Sequence, residues 1–199
     1  TILESRFMQA PHIPPLHVVD GEGCELILAG GARLIDASGG PMVVNVGHGR
    51  PEIADAIRKA SDAPGYVMPF FSSPSRLELI GRLRNFLPDS HGRIFLTSGG
   101  SEALESAFKV ARARQLARGQ TTRDLIIGRQ LSYHGSTWAT LAAGDAPPFR
   151  AGLGGTLPQW PKLPLPRAHW TPLGPPIKED PEAAGRALQQ LIDGVGAHR

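Results

Sequence analysis

A single cysteine, Cys24, leaves no partner for an internal disulfide and no multi-cysteine metal site. It fits a reducing cytoplasm, and its simplest role is that of a small buried apolar residue. The seven histidines show no spacing suited to metal ligation. No apolar run approaches the ~18 residues of a membrane span, and no stretch reads as a signal peptide, so a cytoplasmic protein is expected. An excess of one charge sign is also lacking: 21 Lys and Arg face 18 Asp and Glu. The arginines are scattered without interleaved aromatics, which make up only 6% of the chain, so nucleic acid is not an expected partner. What remains, 41% hydrophobic and 20% charged residues, is an ordinary globular composition in a chain long enough to bury a core.

Against that plain background residues 94–112 stand out. Ile94 to Thr97 is a short apolar and β-branched run, Gly99-Gly100 permits a tight turn, and Ser101 suits the N-cap of a long amphipathic helix. Leu104, Ala107, Phe108 and Ala111 form the side of that helix expected to be buried, and Gly119 closes it. The first N–H groups of a helix lack intrahelical acceptors and carry partial positive charge, so an anion is well placed there. The stretch reads as a phosphate cradle, with an ordinary strand, turn and helix as the alternative. Glu102 and Glu105 most simply favour the N-terminus through the helix dipole.

Upstream, residues 1–20 read as an extended arm. Glu25 to Leu28 and Ala32 to Ile35, around Ala29-Gly30-Gly31, read as a β-hairpin. Met42 to Val46 follows as an apolar strand or extended segment, and Pro51 opens a helix whose Ile53, Ala56, Ile57 and Ala60 share a face. Ser73-Pro74 opens another helix to about Leu87, with Leu77, Ile80 and Leu83 or Leu87 inward. Beyond the cradle helix, Asp124 to Gly128 is predicted as a second strand, which makes a βαβ crossover and a parallel sheet. The loop Ser132-Tyr133-His134-Gly135-Ser136-Thr137 then lies at the same sheet edge as the glycine turn, so two loops are expected to converge. Residues 145–181 hold ten of the 19 prolines and read as a long loop, with Trp160 and Trp170 as packing anchors. A last helix is expected from about Pro181 to Gly194, with Ala184, Ala187, Leu188, Leu191 and Ile192 inward.

Three motifs in this order, Asn45-Val46-Gly47-His48-Gly49-Arg50-Pro51-Glu52-Ile53, Thr97-Ser98-Gly99-Gly100-Ser101-Glu102-Ala103 and Ser132-Tyr133-His134-Gly135-Ser136-Thr137, resemble those of class III pyridoxal-phosphate (PLP) aminotransferases. The likeness runs from about Gly21 to the C-terminus. It implies the α/β architecture of fold type I, here incomplete: a mainly parallel sheet with flanking helices and a small N-terminal β-containing segment. Residues 1–62 would be the arm and part of the small domain, and residues 63–199 the first half of the large PLP-binding domain. Gly100 and Ser101 match the family's donors to the cofactor phosphate, and Tyr133 matches the aromatic residue that stacks on its ring, with His134 and Gly135 beside it. Met42 and Phe70 or Phe71 fall where such enzymes line the substrate pocket. Leu104 departs from the asparagine usual at its position.

The family's chemistry also needs a lysine that binds the cofactor covalently and an aspartate against its pyridine nitrogen. Both family motifs fall beyond residue 199, and Lys59, Lys109, Lys162 and Lys178 lack the family context. The resemblance thus implies an N-terminal half whose lysine and aspartate come from a second polypeptide, with two copies of each half. The activity implied is transfer of an amino group from an amine or ω-amino acid to a keto acid. The alternative is a degenerate, non-catalytic half acting as a binding or regulatory module. A dinucleotide-binding enzyme fits poorly, because neither glycine cluster has the spacing of that fingerprint.

Overall fold

The computed structural model describes residues 16–68, 70–90, 92–165 and 182–196. Of the arm expected over residues 1–20, residues 1–15 lie outside them, as do Trp170 and Lys178, while Val18 to Asp20 belong to a strand instead of a free arm because they find a ladder partner. Contacts divide the chain into two units, Thr1–Ile94 and Phe95–Arg199.

In the first unit, β1 (Val18–Glu22), β2 (Glu25–Leu28) and β3 (Arg33–Ile35) form an antiparallel meander in the order β1-β2-β3. The hairpin between β2 and β3 is the expected one. Gly30 and Gly31 turn it at φ of 101° and 86°, values that L side chains rarely adopt. Cys24 is exposed between β1 and β2, contrary to its expected burial, because this short sheet covers it on neither side. Across the meander Arg33 bonds Glu25 and Glu22 at 2.7 and 2.9 Å, an exposed ion-pair group.

Met42 to Val46 is not extended. Asp36 Oδ1 accepts the N–H groups of Ser38 and Gly39, which coils the chain into a helical turn, α1 (Gly39–Met42). Val43 and Val44 both donate to the Gly39 carbonyl, so the backbone closes on itself instead of joining a ladder. The other Asp36 oxygen, Oδ2, lies 2.8 Å from His48 Nε2, while His48 and Gly23 exchange two backbone hydrogen bonds. His48 thus ties the glycine-rich motif to the end of β3, a loop-shaping role.

The His48 ring, helped by backbone donors, holds the Asp36 carboxyl below the usual carboxylate range. Its contribution to stability is therefore present above the unfolded value near pH 4 and lost as the pH falls through the lower folded value. Asp36→Asn should lower the melting temperature at about pH 7. The gap from wild type should narrow as the pH is taken below the unfolded carboxylate value near pH 4, in thermal melts followed at neutral and acidic pH.

Helices α2 (Pro51–Ser61) and α3 (Pro74–Arg84) both begin with proline at the first turn, as expected. The Ser73 hydroxyl caps α3 by accepting from Arg76 N at 3.3 Å. Their predicted inner faces are less covered than their periodicity suggests. Ile53 and Ile57 of α2 and Leu77 of α3 are exposed, whereas Ile80 and Leu83 are half-buried.

The second unit is built on α4 (Gly100–Ala117), followed by β4 (Gly128–Arg129), α5 (Trp138–Ala143), α6 (Pro147–Arg150), β5 (Lys162–Leu163) and α7 (Ala183–Val195). A strand exists only where a ladder partner does. Residues 94–97 and 124–127, predicted as strands, do not form strands, and among the described residues the parallel pairing is confined to Gly128 with Lys162 and Arg129 with Leu163. The proline-rich stretch is correspondingly more regular than a loop, since it supplies α6 and β5. Leu141, Ala142 and Leu157 are buried together with Phe149, Leu153 and Trp160 packed on them. Trp160 meets Phe108 of α4 edge to face at 5.8 Å, so it is the anchor it was expected to be. On α4, Leu104 and Phe108 are half-buried but Ala107 and Ala111 are exposed. On α7, Ala187, Leu191 and Ile192 are half-buried, while Ala184 and Leu188 remain exposed.

Candidate functional site

Two loops meet at the N-terminus of α4. The N-cap is Gly99, two residues earlier than the serine predicted, and its backbone is extended at φ −173° with no side-chain cap. Ser101 is instead inside the first turn, which frees its hydroxyl from capping duty. The turn before it is braced by Glu102, whose Oε2 accepts Ser98 N–H at 2.9 Å, and by the Thr97 hydroxyl, which donates to the Gly99 carbonyl at 3.1 Å. Gly100, Ser101 and Glu102 are the first three helical residues, so their N–H groups have no intrahelical acceptor. The space around the turn is open: a Cβ built on Gly99 or on Gly100 meets no atom within 4 Å.

The second loop, residues 132–137, lies against that end. Ser136 N–H donates to Ser101 Oγ at 3.0 Å, across 35 residues of sequence. The Thr137 hydroxyl donates to Glu105 Oε1 at 2.7 Å, and Ala139 N–H donates to the same oxygen at 3.3 Å. Thr137 caps α5 reciprocally with Thr140, which is fully buried. Gly135 is buried between these groups at φ +131°, and a Cβ there would collide with Ser101 Oγ and lie 2.8 Å from Thr140 Oγ1. At its other end the loop is held by Asp145 N–H, which donates to the Ser132 carbonyl at 2.8 Å.

Tyr133 projects from this loop with 58% of its surface exposed, its ring 5.0 Å from that of Phe149 at a tilt of 50°. His134 is half-buried. Gly135 thus lies against Ser101, with Gly100 beside the serine on α4 and Tyr133 and His134 beside the glycine on the loop. Met42, Phe70 and Phe71 lie in the first unit. Met42 is 78% exposed, and the two phenylalanine rings pack on each other at 4.6 Å. Arg76 donates to the Phe71 carbonyl and fixes that turn at 2.9 Å.

Glu105 is the member that sequence reasoning missed. Its position suggested a dipole role, and only the threonine five residues beyond the tyrosine-glycine loop's start, Thr137, with its hydroxyl and helix-capping character, hinted at a partner. Lys162, the first lysine after loop 132–137 in sequence, is engaged elsewhere: Nζ donates to the carbonyls of Ala142 and Trp160 at 2.5 and 2.9 Å. Burial, with the neighbouring Arg150 charge, pushes its ammonium below the ordinary lysine value. It completes the C-terminal end of α5 and offers no free amine to the cluster. Among the described residues no group of His, Cys, Asp and Glu could hold a metal ion, and no helix is long and apolar enough to cross a membrane.

The class-III aminotransferase family model matches residues 7–197. A probable aminotransferase from Mycobacterium tuberculosis is 32% identical over 90% of this chain and 39% of its own length. An omega-aminotransferase from Caulobacter vibrioides is 33% identical over 83% of this chain and 38% of its own. Among solved structures, an (S)-enantioselective omega-transaminase from Thermomicrobium roseum superposes with a TM-score of 0.81 at 33% identity, covering 92% of this chain and 42% of that one. A PLP-bound aminotransferase mutant from Vibrio fluvialis superposes with a TM-score of 0.78 at 26% identity, over 92% and 41%. The chain therefore spans about two fifths of the relatives it matches, and its fold is the N-terminal portion of fold type I. With a family match that takes in both units, the chain belongs to the class-III aminotransferases.

Proposed function

We propose that the chain forms the phosphate- and ring-binding part of a PLP-dependent aminotransferase that moves an amino group from an amine or ω-amino acid to a keto acid. The observation that carries this reading is the meeting of loop 132–137 with the open N-terminus of α4, at Ser136 and Ser101. The residues fit the cofactor's phosphate. Three N–H groups without intrahelical acceptors, the helix dipole and a glycine turn with open space around it suit a dianion. Ser101 Oγ accepts the Ser136 N–H, so its own proton is the one that points to an anion.

Within that reading each residue has a task. Gly100 and Ser101 hold the phosphate and fix the cofactor's position. Tyr133 presents an exposed ring face that holds the cofactor's ring plane by offset stacking, worth about 1 kcal/mol beyond the area it covers. Gly135 lets the loop approach the helix closely, and His134 shapes the loop. When bound, the cofactor supplies the electron-withdrawing ring through which the amino group passes between substrates. Met42, Phe70 and Phe71 are assigned to the substrate wall on the family resemblance.

The covalent lysine and the carboxylate for the pyridine nitrogen are assigned to a second polypeptide carrying the C-terminal portion of the fold. Two copies of each half, in the cytoplasm, would form the enzyme. The family resemblance supports this, as does the engagement of Lys162 by two carbonyls. Borohydride reduction of the natively purified protein, followed by the intact mass of every polypeptide, tests it. A pyridoxyl adduct on a second chain is the expected result. An adduct on Lys59, Lys109, Lys162 or Lys178, or on a longer form of this same polypeptide, would overturn the split assignment. No adduct on any polypeptide would favour a non-catalytic binding module.

A further inference from the structure

Resting on the reading of the α4 N-terminus as a phosphate site, we propose that Glu105 is a positioning residue whose carboxylate clamps loop 132–137 so that the phosphate donors and the Tyr133 ring share one geometry. Three described hydrogen bonds join α4 to residues 136–139, and two of them end on Glu105 Oε1. One comes from a hydroxyl at 2.7 Å and the other from a backbone N–H at 3.3 Å.

The polarity of the network follows. Thr137 has one hydroxyl proton and gives it to Glu105, so Thr140 must donate its own toward Thr137, whose carbonyl lies 2.9 Å away. Thr140 Oγ1 in turn accepts Thr137 N–H at 3.0 Å. Thr140 has no exposed surface, and the buried Gly135 fits against it with no room for a side chain. The loop can therefore shift only if the Glu105 bonds break or the buried threonine is left without partners. Its position decides where Ser136 N–H meets Ser101 Oγ, and hence which way the Ser101 proton points.

A residue that merely favours the helix dipole would act through its charge. A positioning residue acts through an acceptor oxygen at a fixed place. The amide of Glu105→Gln keeps that oxygen and loses the charge, whereas Glu105→Ala loses both. PLP uptake by the natively purified protein, measured by absorbance titration, and the phosphorus NMR resonance of the bound cofactor separate the cases. Glu105→Ala should weaken PLP binding about tenfold or more and move the phosphorus resonance. Glu105→Gln should stay within about threefold of wild type and keep the resonance. Thr137→Val, which removes the hydroxyl donor at nearly constant volume, should move both readouts in the direction of the alanine variant and serves if that variant fails to fold.

The inference is wrong if the alanine variant binds like wild type, or if Gln and Ala lose affinity equally. It is equally wrong if affinity falls while the resonance stays in place, since Glu105 would then be structural. A wild-type protein that takes up no PLP removes the phosphate reading itself, and the inference with it.

Discussion

Replacing Gly135 with alanine is expected to destabilise the Phe95–Arg199 unit by about 2–5 kcal/mol and to release PLP with it. Two independent effects add. At φ +131° an L side chain is strained whatever room it has. There is also no room, because the new Cβ would collide with Ser101 Oγ, lie 2.8 Å from Thr140 Oγ1 and lie 3.1 Å from Ser101 Cα. None of these yields cheaply: Ser101 Oγ can rotate away only by giving up the Ser136 bond, Thr140 is fully buried, and Ser101 Cα is backbone in the first turn of α4. The chain can relieve the collision only by lifting loop 132–137 from the helix, which gives up the Ser136 to Ser101 bond and both bonds to Glu105. Denaturant unfolding reads the first effect, and PLP titration reads the second. An unchanged unfolding midpoint together with unchanged PLP uptake would show that the loop does not pack on α4 as described.

That close packing was only half legible in the sequence. Glycines at 99, 100 and 135 with Ser132, Ser136 and Thr137 announced two turns, and they do meet. Which atoms meet was not announced. Glu105 lies far from Thr137 along the chain, and helical spacing alone gives a carboxylate at that position nothing but a dipole to answer to. Ser101 was read as the cap because serine is a good capping residue, but the extended backbone at Gly99 takes that place and leaves the serine hydroxyl for other partners.

The strands show a different limit. Ile94 to Thr97 and Asp124 to Gly128 have the composition of strands, yet composition supplies no ladder. Among the described residues only Gly128 and Arg129 find one, against Lys162 and Leu163 in a stretch whose prolines argued for a loop. The same holds for helix faces. Ile53, Ile57 and Leu77 recur at the right interval, and periodicity locates such a face without naming what lies over it. Where a local hydrogen bond competes, it wins: the Asp36 carboxylate gathers Ser38 and Gly39 and coils a segment whose valines favoured extension.

Gly100→Val should leave the fold intact and abolish PLP uptake, the reverse of a packing defect. Gly100 is not among the residues at positive φ, and a Cβ there meets nothing within 4 Å, so valine is accommodated at the first helical position with at most a small propensity cost. What valine does is fill part of the open space beside N–H groups that have no intrahelical acceptor, and so keep a phosphate from closing to hydrogen-bond distance. The loss should exceed that of Ser101→Ala, which removes one hydroxyl from the phosphate, about 1.5–3 kcal/mol of PLP affinity. The serine variant carries a second cost that the valine variant lacks, since Ser136 N–H loses its acceptor and the loop loosens. Melting temperature should therefore fall for Ser101→Ala and hold for Gly100→Val, while PLP titration orders them the other way. Wild-type affinity in both variants would mean that the α4 N-terminus does not bind the phosphate.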